Sequence, residues 1–293
     1  MRERNNRQLN MSAGMASVAV ASVLVALKLW ALAETGALSV AASLADSALD
    51  LMISGAGLAA IIYAARPPDE DHHFGHSSAE DLAALGQALF ILTSAGVIAF
   101  AAVARLLSSN PVRLEAEGRG IVVMGLAIML TLGLVIWQGH VARRTGNRVV
   151  KADRLHYLAD LVPNIGAIVA LLASSRLGVT QVDSVVALLA AALLVRGAVG
   201  IGRGAWDALM DRSAAPEVVS GIEQIVTEWP GVHGHHDLKT RTAGSRLFVH
   251  LHIELDGSQS LDEAHAISAG LKRAILEAYP GADVIIHKDP VRD

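Results

Sequence analysis

Two pairs of ionisable residues interrupt long apolar stretches at a spacing that suits metal binding. Asp46 and Asp50 lie in "SLADSALDLM", and His156 and Asp160 lie in "RLHYLADLVPN". The members of each pair are four residues apart, so on a helix they share one face, one turn apart. An ionised carboxylate in hydrocarbon costs about 2.5–3.5 kcal/mol even on the mildest scale. These residues therefore call for a functional explanation.

The two pairs together offer one imidazole and three carboxylates, and two helices with two ligands each can enclose one cation. Four nitrogen and oxygen ligands suit tetrahedral Zn²⁺. The same set accepts Cd²⁺, Fe²⁺, Co²⁺ or Mn²⁺, because selectivity depends on geometry as well as on ligand type. Metal ligands must be deprotonated, so metal and protons compete for such a site. Two interpretations without metal stay open: a polar cluster that only joins helices, and a proton relay.

A third group of possible ligands lies in the segment "PPDEDHHFGHSSAEDL". Asp69 precedes His72 by three residues, and His76 follows His72 by four, a spacing that predicts a half-helical clip around a metal ion. His73 is interpreted as a bystander. The alternative is a solvated acidic loop that attracts cations without binding them at a fixed site.

The composition separates a membrane part from a water-soluble part. Hydrophobic residues make up 53% of the 293 residues and the mean hydropathy is +0.44, which is too apolar for a typical soluble protein. We predict a membrane domain over 1–211 and a soluble domain over 212–293. The absence of cysteine excludes disulfides and thiolate metal sites. Basic clusters flank the apolar runs, so they indicate membrane topology and not nucleic-acid binding.

Six stretches are long and apolar enough to span a bilayer. Arg2, Arg4 and Arg7 precede the first, and the basic segment "ARRTGNRVVKADR" follows the fourth. The positive-inside rule then places both termini in the cytoplasm. Gly200 and Gly204 in the last span form a GxxxG pattern, which predicts close helix packing. The predicted spans are 12–33, 38–64, 80–107, 116–142, 150–175 and 181–209.

The soluble part has the pattern of a small α/β domain. We predict a helix at about 215–229, the strands "HDLKTRTA" and "RLFVHLHIEL", a helix at about 261–279, and the strand "ADVIIHKDP". In the second strand Leu247, Val249, Leu251, Ile253 and Leu255 point towards a core, and Phe248, His250, His252 and Glu254 point away from it. The order strand, helix, strand implies parallel neighbours. His287 and Asp289 share a strand face, and His252 can lie beside them.

Six spans, the DxxxD of "ADSALD", the HxxxD of "HYLAD" and the histidine-rich tail resemble the cation diffusion facilitator family, most closely its bacterial zinc/iron exporter branch. The resemblance implies a membrane α-helical fold with six transmembrane helices, followed by a small cytoplasmic α/β domain of the metallochaperone type. It implies a homodimer in the lipid of the bacterial inner membrane that exports divalent transition metals in exchange for protons. Asp46, Asp50, His156 and Asp160 would be the transport ligands, with a preference for Zn²⁺ and Cd²⁺.

The resemblance also implies two further zinc sites. Asp69, His72 and His76 match a site in the cytoplasmic loop between the second and third spans. A binuclear zinc site is implied at the interface of two tails, formed by His236, His252, His265, His287 and Asp289. The chain departs from the family pattern at Ser78, where the resemblance implies a lysine that pairs with the aspartate at Asp211. The ion pair between the membrane domains of two subunits therefore lacks one partner.

Three other functions compete with that of a zinc-class cation/proton antiporter. An intramembrane metalloenzyme needs a general base beside the metal, as in HExxH, and the sequence has no such motif. A membrane-anchored metal sensor does not need Asp46, Asp50, His156 and Asp160 inside the bilayer. The same transporter with Fe²⁺ or Mn²⁺ as its main ion stays open. The sequence thus predicts a transporter and not an enzyme.

Overall fold

The computed structural model describes residues 2–35, 38–107, 118–161 and 182–291. Contacts divide the chain into a helical unit, Arg7–Trp206, and a smaller unit that contains Asp207–Asp293. The architecture agrees with the predicted fold class, a helical membrane domain followed by a small α/β domain.

Six helices of the larger unit have described residues. They are α1 (Arg2–Thr35), α2 (Leu38–Ala64), α3 (Ser78–Leu107), α4 (Gly118–Thr145), α5 (described over 148–161) and α6 (Val182–Leu209). In the described ranges, five of these helices are long and apolar enough to cross a membrane. They correspond to the first four predicted spans and the sixth. The fifth predicted span, 150–175, begins in α5 and continues into 162–181, outside the described residues.

Small side chains pack the helices of this unit closely together. Ala95 on α3, Ala159 on α5 and Ala198 on α6 belong to one buried cluster, and small residues let helix backbones approach each other in membranes. Gly197 contributes directly, because a Cβ there would lie 2.7 Å from Leu155 Cδ2. The predicted role of Gly200 is not seen within one chain, where no atom of another described helix lies within 4 Å of its Cβ position.

The start of α5 is fixed by the turn that precedes it. Gly146 has φ +73°, a conformation that glycine adopts without steric cost. Asn147 Oδ1 then accepts a hydrogen bond from the Val150 N–H at 3.0 Å, as an N-cap side chain does. Arg148 forms an ion pair with Asp81, whose side chain is almost fully buried. The basic segment therefore ties α5 to the first turn of α3.

The smaller unit contains a three-stranded sheet and two helices. Its elements are α7 (Pro216–Thr227), β1 (Gly234–Ala243), β2 (Arg246–Leu255), α8 (Leu261–Ala278) and β3 (Asp283–Pro290), and the strand order is β1-β2-β3. β2 pairs antiparallel with β1 and parallel with β3. The predicted helices and strands are confirmed, and so is the parallel pairing of the strands on either side of α8.

The core of this unit lies between the sheet and the two helices. One face of β2 packs against α7 and α8 in this core. The buried residues of the core are Ile222, Val226, Val249, Leu251, Ile253, Leu255, Leu271, Ile275 and Val284. Phe248 departs from the predicted alternation, because it points to the opposite face and is nevertheless only 3% exposed. The Arg241 guanidinium lies 4.2 Å and that of Arg246 5.6 Å from the centre of its ring, so cation–π contacts cover this aromatic side chain.

Candidate metal centres

The helical unit brings three of the four predicted transport ligands together. Asp50 on α2 and His156 and Asp160 on α5 each offer a ligand atom, and these atoms all lie within 4.8 Å of one another. His156 Nε2 lies 3.1 Å from Asp50 Oδ1. With Asp50 ionised, the N–H of His156 is the donor, because a carboxylate only accepts. One nitrogen and two carboxylates from facing helices form a partial cage for a divalent cation. We call these three residues the transport cluster.

Aromatic rings confine the imidazole of the transport cluster. His156 is only 4% exposed. The Phe90 ring of α3 meets it edge-on with ring centres 5.7 Å apart, and the Tyr157 ring lies 5.5 Å away. The imidazole therefore has a restricted orientation, with Nε2 directed at Asp50.

Asp46 lies outside the transport cluster. It is one turn before Asp50 on α2, and its side chain is exposed. The structure also places Lys28 of α1 nearby, where its ammonium interacts with the charges of Asp46, Asp50 and Asp160. Lys28 Nζ donates a hydrogen bond to Ser47 Oγ at 2.6 Å. The sequence analysis missed this residue, although a single lysine in the apolar run "VALKLW" was a usable signal.

The loop between α2 and α3 brings Asp69, His72 and His76 together as predicted. His72 Nδ1 lies 3.1 Å from Asp69 Oδ1, and His76 Nε2 lies 3.1 Å from Asp69 Oδ2. The predicted half-helical clip is wrong, because these residues form turns. Asp69 Oδ1 accepts the His72 backbone N–H at 2.7 Å, and this local bond replaces a helical one. His76 is buried and meets the Tyr63 ring edge-on with ring centres 4.6 Å apart.

The hydrogen bonds of the loop favour the charged form of Asp69. The backbone N–H of His72 is the main cause that holds the pKa of Asp69 below its ordinary value, and slight desolvation opposes it. An anionic carboxylate with two imidazoles around it offers three of the four donors of a tetrahedral zinc site. His73 lies outside this group of ligand atoms.

In the smaller unit, three histidines form one row across the sheet. The strand register places His236 opposite His252, and His252 opposite His287. Asp289 contacts all three: His252 Nδ1 lies 2.8 Å and His236 Nε2 3.3 Å from its Oδ2, and His287 Nε2 lies 3.4 Å from its Oδ1. Within one chain, His236, His252 and Asp289 offer ligand atoms within 4.8 Å of one another. We call the four residues the tail cluster.

The imidazoles hold the central carboxylate of the tail cluster in its charged form. The hydrogen bond from His252 is the main cause that lowers the pKa of Asp289, and His287 and His236 add to the effect. His265 does not join the cluster within one chain. It lies on α8, which packs on the core face of β2, whereas His252 points to the other face of the sheet.

Asp211 makes a local contact in the tail. The family resemblance implies a lysine as its partner, and Ser78 occupies that lysine position. Asp211 has φ +55°, and its carboxylate lies 3.1 Å from Arg241 Nη1.

Comparison with known proteins assigns the chain to a family. Residues 14–210 match the cation efflux transmembrane domain, and residues 214–291 match the cytoplasmic domain of cation efflux proteins. The chain belongs to the cation efflux family, the cation diffusion facilitators. The second match is the family's dimerisation domain, which supports a homodimer. The chain is therefore a membrane transporter of metal cations and not an enzyme.

Relatives match over almost the whole chain. The cation-efflux pump FieF of Klebsiella pneumoniae is 40% identical over 278 residues, which cover 95% of this chain and 92% of that protein. FieF of Yersinia enterocolitica is 40% identical over 279 residues, with the same shares covered. Among solved structures, the metal-bound C-terminal domain of the CzcD transporter from Thermotoga maritima is 27% identical, with a TM-score of 0.25, and the match covers 26% of this chain and 91% of that one. The relatives and the apolar helices indicate a multi-pass protein of the bacterial inner membrane.

Proposed function

We propose that this protein exports Zn²⁺ from the cytoplasm in exchange for protons, with Cd²⁺ and Fe²⁺ as further cargo. The observation that carries this proposal is the convergence of Asp50, His156 and Asp160 between two membrane helices. Asp46, one turn away on α2, is the proposed fourth ligand, supplied by a change of rotamer or a small helix movement. A divalent cation offsets the cost of placing these carboxylates in a low-dielectric region.

Proton exchange follows from the chemistry of the same atoms. His156 Nε2 and Asp50 Oδ1 lie 3.1 Å apart and share one hydrogen. A metal ion bound to both atoms must displace that hydrogen, because metal ligands bind in deprotonated form. Metal entry from one side and proton entry from the other then alternate at one site, which is the basis of antiport.

The tail cluster is proposed to bind zinc without transporting it, and so is the loop cluster, which consists of Asp69, His72 and His76. Asp69, His72 and His76 have the nitrogen and oxygen donors that Zn²⁺ takes. In the tail cluster, the two oxygens of Asp289 face different imidazoles, so this carboxylate suits a bridge between two zinc ions. His265 of a second copy of the chain would complete that site at a dimer interface. With both termini in the cytoplasm, the tail would sense the metal that the helices export.

The proposal is tested by metal uptake into proteoliposomes with an imposed pH gradient. Zn²⁺, Cd²⁺, Fe²⁺ and Mn²⁺ are compared side by side, while a dye inside the vesicles reports the luminal pH. We expect Zn²⁺ uptake that requires the gradient and is accompanied by proton movement in the opposite direction. Zinc binding without uptake of any metal would contradict transport, and uptake without proton movement would contradict antiport.

A further inference from the structure

A buried carboxylate outside the predicted metal sites lies one turn from the transport cluster on α5. Asp153 precedes His156 by three residues and is 5% exposed. Ser17 of α1 donates a hydrogen bond to Asp153 Oδ2. Gln138 Nε2 of α4 donates to the same oxygen at 2.7 Å, and Ser54 Oγ of α2 lies 3.3 Å from Oδ1. One carboxylate thus connects four helices.

The contacts around Asp153 form a connected network. Gln138 Nε2 also donates to Ser17 Oγ at 2.8 Å. The Tyr157 hydroxyl lies 2.9 Å from Ser54 Oγ and donates to the Ser17 carbonyl oxygen at 3.3 Å. All five side chains are at most 5% exposed. We call Ser17, Ser54, Gln138, Asp153 and Tyr157 the Asp153 network.

The donors of the Asp153 network converge on one carboxyl group. Two hydroxyls and one amide N–H are directed at its two oxygens. Removing one partner leaves a buried polar group unsatisfied, which costs about 1–3 kcal/mol. The relative position of the four helices is therefore defined by this network more sharply than by apolar packing alone.

The Asp153 network and the transport cluster are built on the same two helix faces. Ser54 follows Asp50 by four residues on α2, and Asp153 precedes His156 by three on α5, so each pair shares a face. The contact between Ser54 and Asp153 crosses the α2–α5 interface one turn from the contact between Asp50 and His156. A shift that breaks one contact therefore displaces the other.

We infer that Asp153 is a positioning residue, which sets the α2–α5 geometry on which metal affinity at the transport cluster depends. This inference rests on the proposed function, because it assumes that the transport cluster binds the cargo metal. Residues that hold metal ligands in position raise the affinity of the site for its metal. Loss of such supporting contacts typically lowers metal affinity about 10–100-fold.

The test exchanges the carboxylate and the amide between α5 and α4. Gln138→Glu alone places a second carboxylate against Asp153, and Asp153→Asn alone removes the acceptor that three donors share. In the double variant Gln138→Glu/Asp153→Asn, one amide again faces one carboxylate. Zinc affinity is measured by calorimetry on purified full-length protein in which His76→Ala and His252→Ala remove the loop and tail sites. Metal-free thermal unfolding is measured in parallel.

We expect the dissociation constant for zinc to rise about 10-fold or more in Gln138→Glu and to return to within about threefold of the parent in the double variant. Ser54→Ala, which removes a single hydroxyl, provides a milder variant if Gln138→Glu fails to fold, and its dissociation constant should rise severalfold. Unchanged zinc affinity in folded single variants would overturn the inference, whether or not their unfolding temperature falls.

Two further outcomes distinguish the positioning role of Asp153 from a proton-carrying role and from failure of the proposed function. Asp153→Asn with unchanged zinc affinity but no proton-driven uptake would overturn the positioning role in favour of a proton-carrying one. A parent protein that binds no zinc once the loop and tail sites are removed would contradict the proposed function itself. Affinity lost in Gln138→Glu and recovered in the double variant would support positioning, even if the cargo proves to be a different metal.

Discussion

His156 and Asp50 join α5 to α2 through a contact of 3.1 Å between Nε2 and Oδ1. Asp160, one turn after His156, directs its carboxylate into the same space. The imidazole is the only nitrogen donor in the transport cluster, and it is held by Phe90 and Tyr157. The choice of metal should therefore depend on this one side chain.

The variant His156→Asp should broaden the choice of metal towards Mn²⁺. It replaces the nitrogen donor with oxygen, and carboxylate ligands suit Mn²⁺ whereas imidazole suits zinc. We expect the ratio of Zn²⁺ to Mn²⁺ uptake in proteoliposomes to fall about 10-fold, equal to about 1.4 kcal/mol of lost discrimination. His140→Asp is the control, since His140 stacks on Trp137 away from the cluster. An unchanged ratio in an active variant would rule out His156 as the selecting ligand.

The variant His76→Ala should remove one zinc ion per chain from the purified protein. His76 is buried, and its Nε2 faces Asp69 Oδ2 at 3.1 Å, so its loss leaves the loop cluster with two ligands. Metal content after equilibrium dialysis measures the effect. His73→Ala, an exposed neighbour outside the cluster, should keep the parental content. Equal zinc content in both variants would contradict the proposal that the loop cluster binds zinc.

The tail cluster should lose zinc when its central histidine is removed. His252 lies between His236 and His287 in the row across the sheet. We expect His252→Ala to weaken zinc binding about 10–100-fold at the tail of the full-length protein, and His287→Ala to weaken it too. His250→Ala is the matched control on the same strand, where the opposite residues are Lys239 and Ile285. A loss of equal size in the control would indicate damage to the sheet and not loss of a ligand.

The first turn of α8 should weaken when its capping serine is removed. Ser260 Oγ accepts the Glu263 N–H, and the Ser260 N–H donates to Glu263 Oε2 at 2.8 Å. The variant Ser260→Ala should cost about 1 kcal/mol of helix stability, measured as faster amide hydrogen exchange at the start of α8. Ser258→Ala, which removes a bond to Asp256 outside the helix, is the control. Equal exchange in both variants would contradict the cap.

The same cap should respond to acid in a defined direction. The bond from the Ser260 backbone N–H is the main cause that lowers the pKa of Glu263 in the folded state. A lowered pKa means that the contribution to stability is present above the ordinary glutamate pKa of about 4.3 and is lost as pH falls through the folded value. Protection of the first turn of α8 should therefore fall below about pH 4 in the parent, and Glu263→Gln, which has no ionisable carboxyl, should show no such decrease.

The sequence predicted most of the fold because its periodicities are strong. The alternation of apolar and polar residues along β2 is compatible with few structures other than a half-buried strand, and Val249, Leu251 and Ile253 lie in the core as expected. The i, i+4 pairs in apolar runs are likewise compatible with few structures other than membrane helices. Phe248 was placed on the solvent side because alternation does not anticipate cover by Arg241, which comes from a neighbouring strand. The loop turn at Asp69 was also missed, because its geometry depends on a side-chain hydrogen bond that competes with the helical one.

The parts of the candidate sites that depend on long-range packing could not be predicted. Asp153 is three residues from a predicted ligand, but its partners are Ser17, Ser54 and Gln138, which come from three other helices. No local pattern brings these residues together. The separation of His265 from the tail cluster likewise follows from the layer order of helix and sheet, which motif spacing does not contain.

The most direct measurement of the central claim is proton-driven Zn²⁺ uptake by the variant Asp50→Ala. Asp50 is the link between the two helices of the transport cluster, so its removal should abolish uptake while the protein stays dimeric by light scattering. Asp71→Asn, an exposed carboxylate in the loop, is the control and should transport as the parent does. Uptake at the parental rate in Asp50→Ala would contradict the assignment of the transport cluster. Loss of uptake in this variant alone would support it.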